Sequence, residues 1–157
     1  MTPQTENYIR RLDELFKSVN GIKDDEIKSI ASEYLCVRVA GLVEYFFKQK
    51  VSEFTSKSCP KQIEKYITNA FAQFTNVNDE KIRNTLPKFD SQWLESYENQ
   101  RTDNSKASLD SVIAIRHKIA HGGNMSMSYI QISQHYSNIK DLINLLDKII
   151  SKKTAMK

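Results

Sequence analysis

A chain of 157 residues with 23 Lys and Arg against 19 Asp and Glu carries a net charge of +4 and a pI near 9.0. That balance suits an anionic partner but lies within the range of ordinary soluble proteins, so charge alone does not select nucleic acid. The length suits one domain over 1–157, and the two cysteines, Cys36 and Cys59, form neither a CxxC pair nor a repeated spacing. Neither a disulfide framework nor a four-cysteine zinc site is thereby suggested, and a reducing, cytoplasmic setting fits best. Residues 1–11 lack a basic-then-apolar leader, and the longest apolar run is interrupted by Arg38 and Glu44 well short of a membrane span, so no membrane partner is expected.

Four Gly and three Pro punctuate long periodic stretches, which is the composition of an all-α protein. The first helix carries Tyr8, Leu12, Leu15, Phe16 and Val19 on one stripe and stops at Asn20-Gly21, where glycine is expected in the left-handed position after the helix. Asp24 or Asp25 caps the second and longest helix, whose pattern runs through Ile27, Ile30, Ala31, Tyr34, Leu35, Val39, Leu42 and Phe46 to Phe54. Between Tyr34 and Phe47 it is apolar nearly all round, which predicts a central helix covered by the bundle or by a second subunit. Ser58-Cys59-Pro60 opens a third helix with Ile63, Ile67, Ala70, Phe71 and Phe74 on its stripe.

Asn76-Val77-Asn78 breaks the pattern. Two short helical pieces divided near Leu86-Pro87 follow, the second presenting Trp93, Leu94 and Tyr97. The stretch from Asn99 to Lys106 reads as an exposed polar loop. A helix from about Ser105 to His121 is closed by Gly122-Gly123 and a short polar loop. The last helix carries Ile132, Tyr136, Ile139, Ile143, Leu146 and Ile150 at alternating spacings of four and three, a seam suited to packing along another helix. Residues 151–157 form a basic tail. The expected architecture is an up-and-down bundle of five to seven helices with one long polar connection.

The penultimate helix holds the functional signal. Its core stripe should be Leu109, Val112, Ile113, position 116, Ile119 and Ala120, and position 116 is an arginine where a leucine belongs. A buried, unpaired guanidinium costs several kcal/mol or more, so Arg116 needs a carboxylate, carbonyls, a second subunit or an anionic ligand. His117 and His121 share the neighbouring face with Asp110 and Ala114. Arg116 and His121, five residues apart, point about 140° apart on an ideal helix. A two-fold axis beside the seam would gather Arg and His from two copies around one cleft.

The Arg-x4-His arrangement, with a polar residue directly after the arginine and then Ala120-His121-Gly122, resembles the HEPN superfamily. The string Arg116-His117-Lys118-Ile119-Ala120-His121-Gly122 is most similar to its RiboL-PSP type. The resemblance covers essentially the whole chain, and only the six-residue motif is specific. It implies an α-helical homodimer that cleaves RNA without metal, commonly as a toxin or antiviral effector, with an antitoxin or sensor as a further partner class.

RNA can be cut without metal or cofactor because its own 2′-OH attacks the adjacent phosphorus. An imidazole, whose ordinary pKa is about 6.5, is suited to taking the 2′-OH proton, which is the role of His121. A forked, permanently charged guanidinium suits the non-bridging oxygens, which is the role of Arg116. His117 is the candidate to protonate the leaving 5′ oxygen or position substrate, and Lys118 to attract backbone phosphates. Arg38 and Glu44, the charges between Tyr34 and Phe47, are further substrate-binding candidates, with Glu44 also able to orient a histidine or pair with Arg116; the bland reading of Glu44 is a solvated edge. A zinc site on the His117/His121 pair lacks a third ligand at recognised spacing. For His117 the bland reading is a helix-end histidine bonded to backbone, and for His135 a surface position. The rival function is a catalytically silent helical module for interaction or RNA binding.

Overall fold

In the computed structural model, residues 1–123 and 127–151 are described. They form helices α1 (Pro3–Asn20), α2 (Asp25–Ser58), α3 (Lys61–Ala72), α4 (Asp79–Thr85), α5 (Ser91–Gln100), α6 (Asp103–Ala120) and α7 (Tyr129–Ser151), with a 3₁₀ turn at Leu86–Lys88 between α4 and α5. No strand occurs among the described residues, so the fold is the all-α bundle expected. Residues 124–126 of the loop after Gly123, and the tail beyond Ser151, lie outside the described residues.

The hydrophobic pattern of α2 explains its central place. Leu35, Val39, Leu42, Val43, Phe46 and Phe47 are at most 1% exposed, on several sides of the helix, and α1, α3, α6 and α7 all pack against it. A fully buried side chain of this size contributes about 1.5–3 kcal/mol relative to its exposed state, which makes α2 the rigid post of the bundle. Asp24 starts it by accepting from the Ile27 N–H at 2.9 Å. On α7 the seam residues Ile132, Tyr136, Ile139, Ile143, Leu146 and Ile150 are all buried. Near the far end of α2, buried Lys50 reaches Asp147 on α7 at 2.7 Å and Glu53 at 3.0 Å. Burial alone would lower the Lys50 pKa, but the hydrogen bonds to these two carboxylates outweigh it and the pKa is raised.

Several sequence expectations change. The polar stretch 99–106 is not a long loop: α5 runs to Gln100 and α6 begins at Asp103. Thr102 caps α6 by accepting from the Ser105 N–H at 3.1 Å, so most of these polar residues are exposed turns of helix on either side of a two-residue link. Gly21 has φ −73, in the right-handed region, and ends α1 with N–H bonds to Lys17 and Ser18 carbonyls rather than through a left-handed conformation. The third helix begins after Pro60, which stands just before its first turn, and buries no residue. It lies against α2, with Ile63 and Tyr66 exposed. Ile27, Ile30 and Tyr34 on α2 are also at least half exposed, although they continue its apolar pattern.

His135 is another departure: it is half-buried on α7, with Nδ1 3.1 Å from the Ser108 hydroxyl on α6. Burial lowers its pKa, so between the folded and unfolded pKa values the unfolded chain holds the proton and the folded one does not. Stability therefore falls as pH drops below about 6.5 toward the folded value. The variant His135→Asn is expected to show a flatter dependence of Tm on pH between 7 and 5 than wild type in thermal unfolding; the same slope in both would rule His135 out as the sensitive group.

Candidate active site at the C-terminal end of α6

The α6 helix docks on α2 through Leu109, Val112 and Ile113, all buried. The Cys36 thiol on α2 donates to the Val112 carbonyl at 3.6 Å, and burial pushes its pKa up to about 12, so it serves as packing rather than as a nucleophile. One turn further on, the same stripe presents Arg116, half-buried, and the helix then ends at Ala120 with His121 as its cap.

The ending follows from Gly122-Gly123. Gly122 adopts φ +72, its N–H bonds the Ile119 carbonyl at 3.1 Å, and the Gly123 N–H bonds the Lys118 carbonyl at 2.9 Å. This pair of bonds is the Schellman motif, which satisfies the last free carbonyls while turning the chain away. His121 thus becomes the residue that caps α6, exposed at the rim of the bundle. The rings of His117 and His121 meet edge to face, with centroids 4.4 Å apart and planes at 64°. The i, i+4 spacing therefore joins the two imidazoles as a pair.

Arg116 donates through Nη1 to the side-chain oxygen of Asn76. Among the described residues it forms no ion pair. Asn76 sits in the turn between α3 and α4 at φ +51, a left-handed conformation that asparagine tolerates better than most residues. The Glu44 carboxylate holds this turn by accepting from the Asn76 backbone N–H at 2.6 Å, and Lys81 braces it by donating to the Thr75 carbonyl at 2.6 Å. Glu44 is therefore not on a solvated edge. It acts on Arg116 through Asn76, not directly, and among the described residues no bond joins it to a histidine.

Between α4 and α6 runs a groove of about 610 Å³ lined by Asn76, Asn78, Arg83, Lys106, Asp110 and His117, among others. Its walls are tied together where the Asp79 N–H at the start of α4 donates to Asp110 Oδ1 on α6 at 3.0 Å. Asp79 itself is buried and accepts from the Tyr97 hydroxyl at 2.8 Å. Neither Arg116 nor His121 lines the groove; their partners Asn76 and His117 do. The structure thus links Arg116 to Glu44 through Asn76 and, separately, pairs His117 with His121. Lys118 is exposed and outside the groove lining. Arg38 faces α1, its guanidinium over the Tyr8 and Tyr34 rings at 5.2 and 5.9 Å, and is not brought to the motif. Asn76 escaped sequence reasoning, as did Lys106 and Arg83. A break in helical periodicity was the only signal that Asn76 carried, and its bond to a residue 40 positions away leaves no local trace.

Among the described residues no group of three His, Cys, Asp or Glu side chains could hold a metal, and no helix is long and apolar enough to cross a membrane. The family model described as RiboL-PSP-HEPN matches residues 5–152. No curated protein and no solved structure matches.

Because a Cβ on Gly122 would meet nothing within 4 Å, replacing this glycine tests backbone conformation alone. Gly122→Ala is expected to cost about 1–2 kcal/mol, lowering Tm by about 2–8 °C in a chain of this size. Gly122→Asn should lose less, because asparagine accepts φ > 0 more readily. Equal melting of all three proteins would show that the helix end does not depend on this conformation.

Proposed function

The chain belongs to the RiboL-PSP-HEPN family, and from that premise we propose that it is a metal-independent endoribonuclease whose working unit is a homodimer. The observation that carries this reading is the state of Arg116. It is a permanent cation, half-buried in an otherwise apolar stripe, held by a neutral amide, with no carboxylate paired to it among the described residues. Such a charge is costly to desolvate without a counterion, and a phosphate entering from solvent supplies one.

In the proposed reaction the 2′-oxygen attacks the neighbouring phosphorus while His121 takes its proton. The bond from phosphorus to the 5′ oxygen breaks, and the leaving oxygen receives a proton from His117. Arg116 stabilises charge on the non-bridging oxygens. The products are a 2′,3′-cyclic phosphate and a 5′-OH, with no redox change and no metal-bound nucleophile. His117 and His121 share one face of α6, with their rings adjacent, so both imidazoles can be presented to the same stretch of RNA. Lys106 and Arg83 in the adjoining groove are suited to the flanking strand.

A homodimer answers the divergence of Arg116 and His121, which leave α6 about 140° apart on an ideal helix. Two copies related by a two-fold axis would let the arginine of one serve the histidine of the other. In a cell, an enzyme of this kind would act as a toxin or antiviral effector, restrained by an antitoxin or released by a sensor.

Incubation of labelled RNA with the protein in EDTA tests the chemistry. Wild type is expected to leave 2′,3′-cyclic phosphate ends, while Arg116→Ala and His121→Ala each lose about 10²-fold or more in rate. Variants that match wild type would overturn the assignment. RNA bound by wild type without cleavage would favour the silent binding module instead. Expression of wild type should arrest growth and His121→Ala should not, if the role is that of a toxin.

A further inference from the structure

We propose that Asn76 is a positioning residue that aims the Arg116 guanidinium without neutralising it; this rests on reading Arg116 as the phosphate-facing group. The turn that carries Asn76 is built around an anion that stays one step away from the arginine. Glu44 accepts from the Asn76 backbone N–H at 2.6 Å, and the Asn76 side-chain oxygen in turn accepts from Arg116 Nη1. Direct pairing of Glu44 with Arg116 would form a charge-assisted, fork-shaped contact that competes with phosphate for the same donors. Interposing a neutral amide uses one of the five N–H donors of the guanidinium and leaves its charge and remaining donors for substrate.

The backbone supports the same conclusion. Asn76 is the one non-glycine residue at positive φ among the described residues, and a left-handed conformation is unfavourable for an L-residue unless its side chain compensates. Glycine would adopt the conformation freely but could not offer an acceptor, and aspartate would offer an acceptor that carries a charge. Asparagine supplies the backbone, the acceptor and neutrality together. Strain of this kind at the edge of a groove points toward a role in function. Asn76 borders the same groove as His117, so the amide that holds Arg116 stands on the wall where the imidazole pair begins.

Two variants separate these properties. Asn76→Gly keeps the left-handed backbone and removes the acceptor, whereas Asn76→Asp keeps the acceptor and makes it anionic. Side-chain ¹⁵N NMR of the arginines, with the Arg116 signals assigned by their loss in Arg116→Lys, reads the guanidinium directly. Rotation of the Arg116 guanidinium is expected to be slow in wild type and in Asn76→Asp, and fast in Asn76→Gly, with the melting temperature of Asn76→Gly close to wild type. On RNA, Asn76→Gly should lose about 10- to 100-fold in kcat with KM changed far less. Asn76→Asp should lose kcat/KM although the guanidinium stays held, because the new carboxylate takes the charge meant for phosphate. An Arg116 that rotates at the same rate in wild type and Asn76→Gly would overturn the positioning role, as would wild-type kcat in Asn76→Gly once the guanidinium is free. Wild-type kcat/KM in Asn76→Asp would overturn the claim that neutrality matters. Were wild type to leave RNA intact, the ribonuclease reading would fail, and the rotation measurement would still decide whether Asn76 holds Arg116.

Discussion

A guanidinium placed in the apolar stripe of a packed helix must be met by an acceptor, and at Arg116 that acceptor is brought from 40 residues away. The bond to Asn76 requires the turn between α3 and α4 to sit beside α6, and three contacts put it there. Glu44 on α2 holds the turn by its backbone, Lys81 braces the carbonyl before it, and Asp110 on α6 accepts from the first N–H of α4. The first of these depends on α2 being immobile. A helix whose side chains are covered on several sides provides that immobility, because close-packed interiors transmit displacement rather than absorb it.

The second half of the motif depends on where α6 stops. His121 itself stays on the helical path, its N–H bonded to the His117 carbonyl, and the Schellman bonds of Gly122 and Gly123 turn the chain away immediately after it. They leave His121 at the rim, in ring contact with His117. Arginine and histidine are thus controlled by different devices. A distant amide fixes one, and a local reversal of backbone hand at Gly122 ends the helix just after the other.

Much of this was legible in the sequence because it is local. The long α2 and the seam of α7, a cap at Asp24 or Asp25, and the split near Leu86-Pro87 follow from residue spacing and turn chemistry, and the structure has each of them, with Asp24 as the cap. The substitution of arginine for leucine at position 116 was visible for the same reason. What the sequence hid is non-local or depends on competition between weak preferences. Nothing near Asn76 announces Arg116, and the polar run 99–106 has no periodicity of its own, so its helical turns appear only once Thr102 caps α6 in the folded chain. Arg38 was read as a candidate because it interrupts an apolar run, yet that interruption is resolved by the Tyr8 and Tyr34 rings. The stripe of α3 buries no residue, since an amphipathic pattern tells which face is apolar, not how much of it finds cover.

The central claim is that Arg116 and His121 complete a catalytic site only across two copies of the chain, and mixing two inactive variants tests it directly. Arg116→Ala and His121→Ala, each silent alone, are combined under conditions that exchange subunits. A site shared between protomers regains one intact Arg and His pair in every mixed dimer, so RNA cleavage should return to about a quarter of the wild-type rate, half of the dimers being mixed and each holding one of two sites. A mixture no more active than either variant alone, with exchange verified, would place the site within a single protomer and contradict the account.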